Sequence, residues 1–150
     1  MAVNSVPDGY HTVTPYLTVD DPSVQIGFLQ RRFNARIMFQ MKDAKGNIAH
    51  AEVKVGDSIL MIGPARDEWH PKPANFYLYA ADCDGLYKQA LAAGAKSVQE
   101  PANQFYGDRH GAVEDPQGNR WWIATHIEDV SPQDMEQRMK AAAAKSGGNR

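Results

Sequence analysis

The sequence predicts an α+β fold built from two tandem βαβββ units. Three observations carry this: the order of elements repeats, each first strand ends in aspartates that can cap a helix, and glycine-bearing turns divide the rest of each unit into short strands. The 150 residues, 43% hydrophobic and 23% charged, have the composition of one soluble globular domain. A chain of this length buries roughly 70% of the surface its unfolded state exposes, so its core needs no disulfide or structural metal.

The first strand is expected over residues 12–19, rich in β-branched and aromatic side chains and closed by Asp20-Asp21-Pro22. Asp21 caps a helix over residues 22–33 whose first position is proline, which has no amide to leave unsatisfied there. In it Val24, Phe28 and Leu29 form an apolar stripe, with Gln25, Gln30, Arg31 and Arg32 mostly elsewhere. Strands over 36–42, 48–55 and 58–62 come next, separated by Asp43-Ala-Lys-Gly-Asn47 and Gly56-Asp57, turns suited to positive φ. A loop over 63–73 carries Trp69, His70 and three prolines.

The pattern then restarts: a strand over 75–80, a helix capped by Asp82 or Asp84 and ended at Gly94, and strands over 96–100, 111–114 and 120–126. Tyr16-Leu17 and Tyr77-Leu78 stand 61 residues apart, as do Asp21 and Asp82, so the repeat lies in pattern more than in letters. One domain is therefore expected over residues 1–128, with unit one at about 11–63 and unit two at about 75–126. A helix over 131–145 should come after it, started by Ser131-Pro132, and residues 146–150 should form a disordered tail.

Composition also excludes function classes. Lys and Arg number 16 against 18 Asp and Glu, for a formal charge of −2, and no basic block offers a surface to nucleic acid or anionic lipid. The N-terminus has neither a basic start nor an apolar stretch, and the longest apolar runs without alanine, such as Ile59 to Ile62, are too short to span a membrane. Cys83 is the single cysteine, which excludes an intrachain disulfide and a Cys-rich zinc site and fits a reducing compartment; a cytoplasmic protein is the expectation. Asp82 and Asp84 beside it disfavour the thiolate that a nucleophile needs. No Ser/His/Asp order, phosphate-binding glycine loop or zinc spacing is visible.

The duplicated unit, together with Phe105-Tyr-Gly-Asp-Arg-His-Gly111 and the Asp115-Pro-Gln-Gly-Asn-Arg-Trp121 turn before an apolar strand, resembles the vicinal oxygen chelate superfamily. That group includes glyoxalases, extradiol dioxygenases, fosfomycin-resistance transferases and bleomycin-resistance binding proteins. The resemblance covers about residues 10–128. It implies a curved mixed sheet enclosing a cavity, with helices on the outer side. Its enzymes hold a divalent metal on His or Glu from the first and last strands of each unit. Those positions fall here on Thr14, near Met61, on Asn75 or Phe76, and on Trp122, and the neighbours Pro15, Leu60, Ile62, Trp121 and Ile123 are no better as ligands. No metal and no cofactor are therefore expected.

Side chains two apart on a strand share a face. Thr14, Tyr16, Thr18, Ile59, Met61, Asn75, Tyr77, Tyr79, Arg120 and Trp122 should face the cavity, and Leu17, Val19, Leu60, Ile62, Leu78, Trp121 and Ile123 the helices. An aromatic inner face with a few polar groups suits a flat or apolar organic molecule. The leading expectation is thus a metal-independent small-molecule binding protein resembling the bleomycin-resistance members. Tyr16, Met61, Trp69, Tyr77, Tyr79, Tyr106, Arg109 and Trp122 are its ligand-contacting candidates. Arg109 has two readings: a clamp on a carboxylate or phosphate at the cavity mouth, or an ion pair with Asp108, Asp115 or Glu114. Phe105 and Tyr106 either form a lid or anchor their loop.

Two alternatives stand beside it. One is a metal-dependent lyase, isomerase or dioxygenase with the unusual ligands His50, Glu52 and His126, the first two sharing a strand face. The other is an interaction module whose cavity is filled by its own side chains. A homodimer is expected under every reading, since two-unit members of the superfamily commonly pair.

Overall fold

The computed structural model describes residues 3–147. In chain order the elements are β1 (Tyr16–Val19), α1 (Pro22–Phe33), β2 (Arg36–Lys42), β3 (Ile48–Val55), β4 (Ser58–Pro64), β5 (Asn75–Tyr79), α2 (Cys83–Ala92), β6 (Lys96–Asn103), β7 (Asp108–Glu114), β8 (Arg120–His126) and α3 (Pro132–Gly147). The strands form two four-stranded sheets, one per unit, ordered β1-β4-β3-β2 and β5-β8-β7-β6. In each, the first strand pairs parallel with the last and the remaining pairs are antiparallel. The repeat read from the sequence is therefore a repeat of strand pairing.

Local chemistry explains the helix starts. Asp21 accepts hydrogen bonds from the amides of Ser23 and Val24, and Asn34 closes α1 in the left-handed conformation at φ 52°. Of the two aspartates considered for α2, Asp82 is the cap, accepting from the Gly85 amide. Two positions in α1 are reversed from expectation. Val24 is 38% exposed, whereas Gln25 is fully buried. Gln25 Nε2 donates to Asp115 Oδ2 at 2.9 Å, and its Oε1 accepts from Asn119 Nδ2 at 2.7 Å. Asp115 also accepts from Trp121 Nε1 and from the amides of Gln117 and Asn119. The Asp-Pro-Gln-Gly-Asn turn of unit two is thus keyed into the helix of unit one, with every buried polar group of that key paired.

Around this key the helix-facing sides of both sheets share one core. Leu17, Val19, Leu60 and Ile62 meet α1, and Trp121 and Ile123 join the same cluster, as the alternation predicts. Phe33 of α1 lies 4.9 Å from the Trp121 ring, which stacks on Phe76 at 4.3 Å.

Strand ends differ where backbone chemistry overrides pattern. β1 begins at Tyr16, not residue 12, because Pro15 has no amide for a ladder. β6 and β7 extend through most of the expected 101–110 loop, since Gln104 to Gly107 makes a tight turn between them. Gly107 takes φ 97°, and the Glu128 carbonyl lies where a Cβ would stand. α3 runs through Gly147, so Ser146 and Gly147 remain helical rather than frayed; residues 148–150 of the expected tail lie outside the described residues. α3 has no buried residue and is held by Arg138, whose guanidinium pairs with both carboxylate oxygens of Glu128 and donates to the Phe105 carbonyl. No described helix is long and apolar enough to cross a membrane.

Candidate functional site

The faces turned away from the helices carry most of the predicted contact residues. On unit one, β1, β4, β3 and β2 align Tyr16, Met61, Glu52 and Phe39 across the sheet. Tyr16 is 54% exposed, and Phe39 and Met41 are each 51% exposed. The Tyr16 ring lies over Gly63 and 5.8 Å from the His50 ring. Tyr16, Thr18, Arg66 and Trp69 line a cavity of about 430 Å³. Met61 lines another, of about 360 Å³, with Glu52 and residues of the N-terminal segment, including Tyr10 and Thr14. Tyr10 donates its hydroxyl to Glu52, which pulls that segment across the sheet.

On unit two, β5, β8 and β7 align Tyr77 with Trp122 and Ala112, and Tyr79 with Ala124 and His110. At one end of this face stands Asp108, 4% exposed. Its Oδ2 accepts from Tyr77 at 2.8 Å and Tyr79 at 3.1 Å, and its Oδ1 meets His126 Nδ1 at 2.8 Å. The other ring nitrogen of His126 meets Asp129 at 2.8 Å. Burial pushes the Asp108 carboxyl up, but the hydrogen bonds from His126, Tyr77 and Tyr79 outweigh it, and it stays ionised below the usual carboxylate range. Asp129 and Asp108 together raise His126, while burial and the bond to Asp108 push the Tyr77 phenol up. Both tyrosines are therefore neutral donors with their hydroxyls spent on one carboxylate. They offer a ligand their ring faces, 5.2 Å apart at 58°.

Beside them Tyr106 Oη lies 2.6 Å from His110 Nε2, and burial lowers the His110 pKa so that the ring is neutral. Trp122 lies under the Arg120 guanidinium, 5.6 Å from the ring centroid.

The structure sorts the candidates. Tyr16 and Trp69 come together in one cavity and Met61 lines its own; Tyr77 and Tyr79 share the Asp108 network, close to Tyr106 and His110. Arg109 is corrected. Its side chain lies on the helix side, where Nε and Nη2 pair with both oxygens of Asp84 at 2.9 Å, a partner not among the acids expected. It alternates with Asp108 and His110 on β7 and so cannot reach the tyrosine face. His50 and Glu52 do sit together, 3.5 Å apart, but His126 is on the other sheet with both ring nitrogens taken by carboxylates. Among the described residues no group of three or more His, Cys, Asp or Glu is placed to hold a metal. Thr14, Met61, Asn75 and Trp122 do not fit the donor set of a divalent ion either.

The sequence pattern predicts a strand only from residue 111, whereas β7 begins at Asp108, so Asp108 and His110 are face residues that the expected strand does not include. A strand begun at Asp108 puts residues 108, 110 and 112 on one face, the signal that would have found them.

The comparisons agree with this architecture. The family model described as Glyoxalase/Bleomycin resistance protein/Dioxygenase superfamily matches residues 10–123, and the chain belongs to that superfamily. An uncharacterized protein of Mycobacterium tuberculosis is 26% identical over 94% of this chain and 87% of its own length. A similarly uncharacterized Mycobacterium bovis protein is 26% identical over 94% and 97%. Among solved structures, TioX from Micromonospora sp. ML1 superposes with a TM-score of 0.68 at 24% identity, covering 78% of this chain and 99% of that one. A glyoxalase/bleomycin resistance protein/dioxygenase from Nocardioides gives 0.62 at 16% identity, covering 87% and 90%. At these identities the structural likenesses speak to the fold.

Proposed function

We infer that the protein binds a small, flat, apolar or aromatic organic molecule against its sheet faces, in the manner of bleomycin-resistance-type members, without a metal at the superfamily positions. The observation that carries this is the exposure of Tyr16, Phe39, Met41, Tyr77 and Tyr79 on the faces turned away from the helices, where a lone soluble chain gains nothing by displaying them. The Asp108 network supports it, because it holds the Tyr77 and Tyr79 rings as a preset platform and reduces the ordering cost of binding. With those hydroxyls engaged, Asn75 and the Tyr16 hydroxyl are left to orient polar groups of the ligand. A second copy of the chain completes the site by covering one face with another, so the functional unit of this reading is a homodimer.

Native mass spectrometry of protein purified without chelators tests this in one spectrum. A dimer free of metal, with an extra organic mass or one gained on adding aromatic ligands, is the expected result. One stoichiometric divalent ion per subunit, lost together with turnover in His50→Ala, would overturn it in favour of the lyase or dioxygenase alternative.

A further inference from the structure

The two units are unequal where they meet, and the inequality leaves a cleft. The offset of 61 residues that equates Asp21 with Asp82 equates Gln25 with Leu86. Gln25 is met by the five-residue turn 115–119, whose Asp115 and Asn119 bond to it. The corresponding turn of unit one, between β3 and β4, has only Gly56 and Asp57. Three residues shorter and without an Asp115-like side chain to fill the gap, it leaves Leu86 facing a cavity of about 740 Å³, larger than either face cavity. Its walls include Phe33, Phe76, Leu78, Leu86 and Trp121. That volume falls within the usual range for small-molecule pockets, roughly 300–1,000 Å³.

Arg32, on the last turn of α1, lines the same cleft. Its Nε is buried and has no hydrogen-bond partner among the described residues. A guanidinium nitrogen left in that condition is costly unless something else accepts from it. The one acid lining the cleft, Asp57, instead accepts from the Ser58 hydroxyl at 3.0 Å.

We propose that this inter-unit cleft, which Tyr77 and Tyr79 also border, is a second binding site, for an amphipathic organic anion. Its apolar body lies on Phe76, Leu86 and Trp121, and its carboxylate or sulfonate accepts from Arg32. The site owes its existence to the short β3–β4 turn, so lengthening that turn closes it.

Two probes with one ring system separate charge from burial: 1-anilinonaphthalene-8-sulfonate and the uncharged N-phenyl-1-naphthylamine, each titrated by fluorescence. The sulfonate fills one Arg32-dependent site per chain, beside any occupancy of the sheet faces. Arg32→Met raises its Kd about tenfold or more while changing the uncharged probe's Kd by less than about twofold, the loss expected of one charge-assisted hydrogen bond. Because both probes report on the same variant, a general loosening of the fold cannot imitate that ratio. Leu86→Trp, which fills the cleft, abolishes the Arg32-dependent sulfonate binding. Equal effects of Arg32→Met on the two probes overturn the proposal. Sulfonate binding that fades as chain concentration rises would overturn it too, assigning the cleft to a second copy. A failure of ligand binding on the faces leaves all of these readouts intact.

Discussion

Asp108 organises the face of unit two through three hydrogen bonds, and its partner His126 makes that arrangement sensitive to pH. Asp129 and Asp108 raise the folded pKa of His126 above its unfolded value. The stabilisation from its charge is therefore complete below the unfolded pKa of about 6.5 and is lost as pH rises through the higher folded value. Thermal melts of the protein and of His126→Gln should differ most below about pH 6.5 and converge as pH rises through the raised folded value. Parallel curves would show that the imidazolium contributes nothing. His110 works in the opposite sense, since burial lowers its pKa, but it is common to both proteins and drops out of the difference. Gly63 offers a second test. A Cβ there would collide with the Tyr16 phenol, an exposed and flexible group. Gly63→Ala should thus displace the ring and weaken ligand binding, while denaturant midpoints show stability changed by less than about 1 kcal/mol.

Among the elements, the turn between β7 and β8 does the most to join the units. The Asp115 carboxylate accepts from Gln25, Trp121 and two backbone amides in a buried setting. Asp115→Ala orphans several donors at once and should cost about 2–4 kcal/mol in urea unfolding, with a cooperative transition retained. As a turn, and as the sharpest sign of the superfamily, this motif was legible from its letters alone. That it docks into α1 was not, because Gln25 looks like a surface residue until a partner 90 positions away is brought to it. Arg109 teaches the same lesson: its pairing with Asp84 depends on how α2 lies across β7, which no local pattern encodes.

For the whole molecule, the proposed function has two copies cover one another's faces, so that on this reading one chain is an incomplete binding unit. Light scattering should give twice the 16.6 kDa chain mass at working concentration. Phe39→Glu, a charge placed on the half-exposed face of unit one, should shift the mass to that of a monomer that still unfolds cooperatively, and weaken aromatic ligand binding. A wild-type monomer that binds ligand at full strength would count against a site shared between copies.

The chain's own letters specified the βαβββ repeat, the candidate helix caps and the division of β1, β4, β5 and β8 into a core face and an open face. All of these rest on contacts between near neighbours or on the two-residue period of a strand. The resemblance to the superfamily, aligned on those letters, puts its metal-ligand positions on Thr14, near Met61, on Asn75 or Phe76, and on Trp122. Packing settled the rest: which aspartate holds Arg109, that Asp108 gathers two tyrosines and a histidine, that Gln25 is buried, and that a short turn leaves a cleft beside Arg32. These are meetings of side chains distant in sequence, and their energies depend on burial and distance, quantities that exist only once the chain is folded.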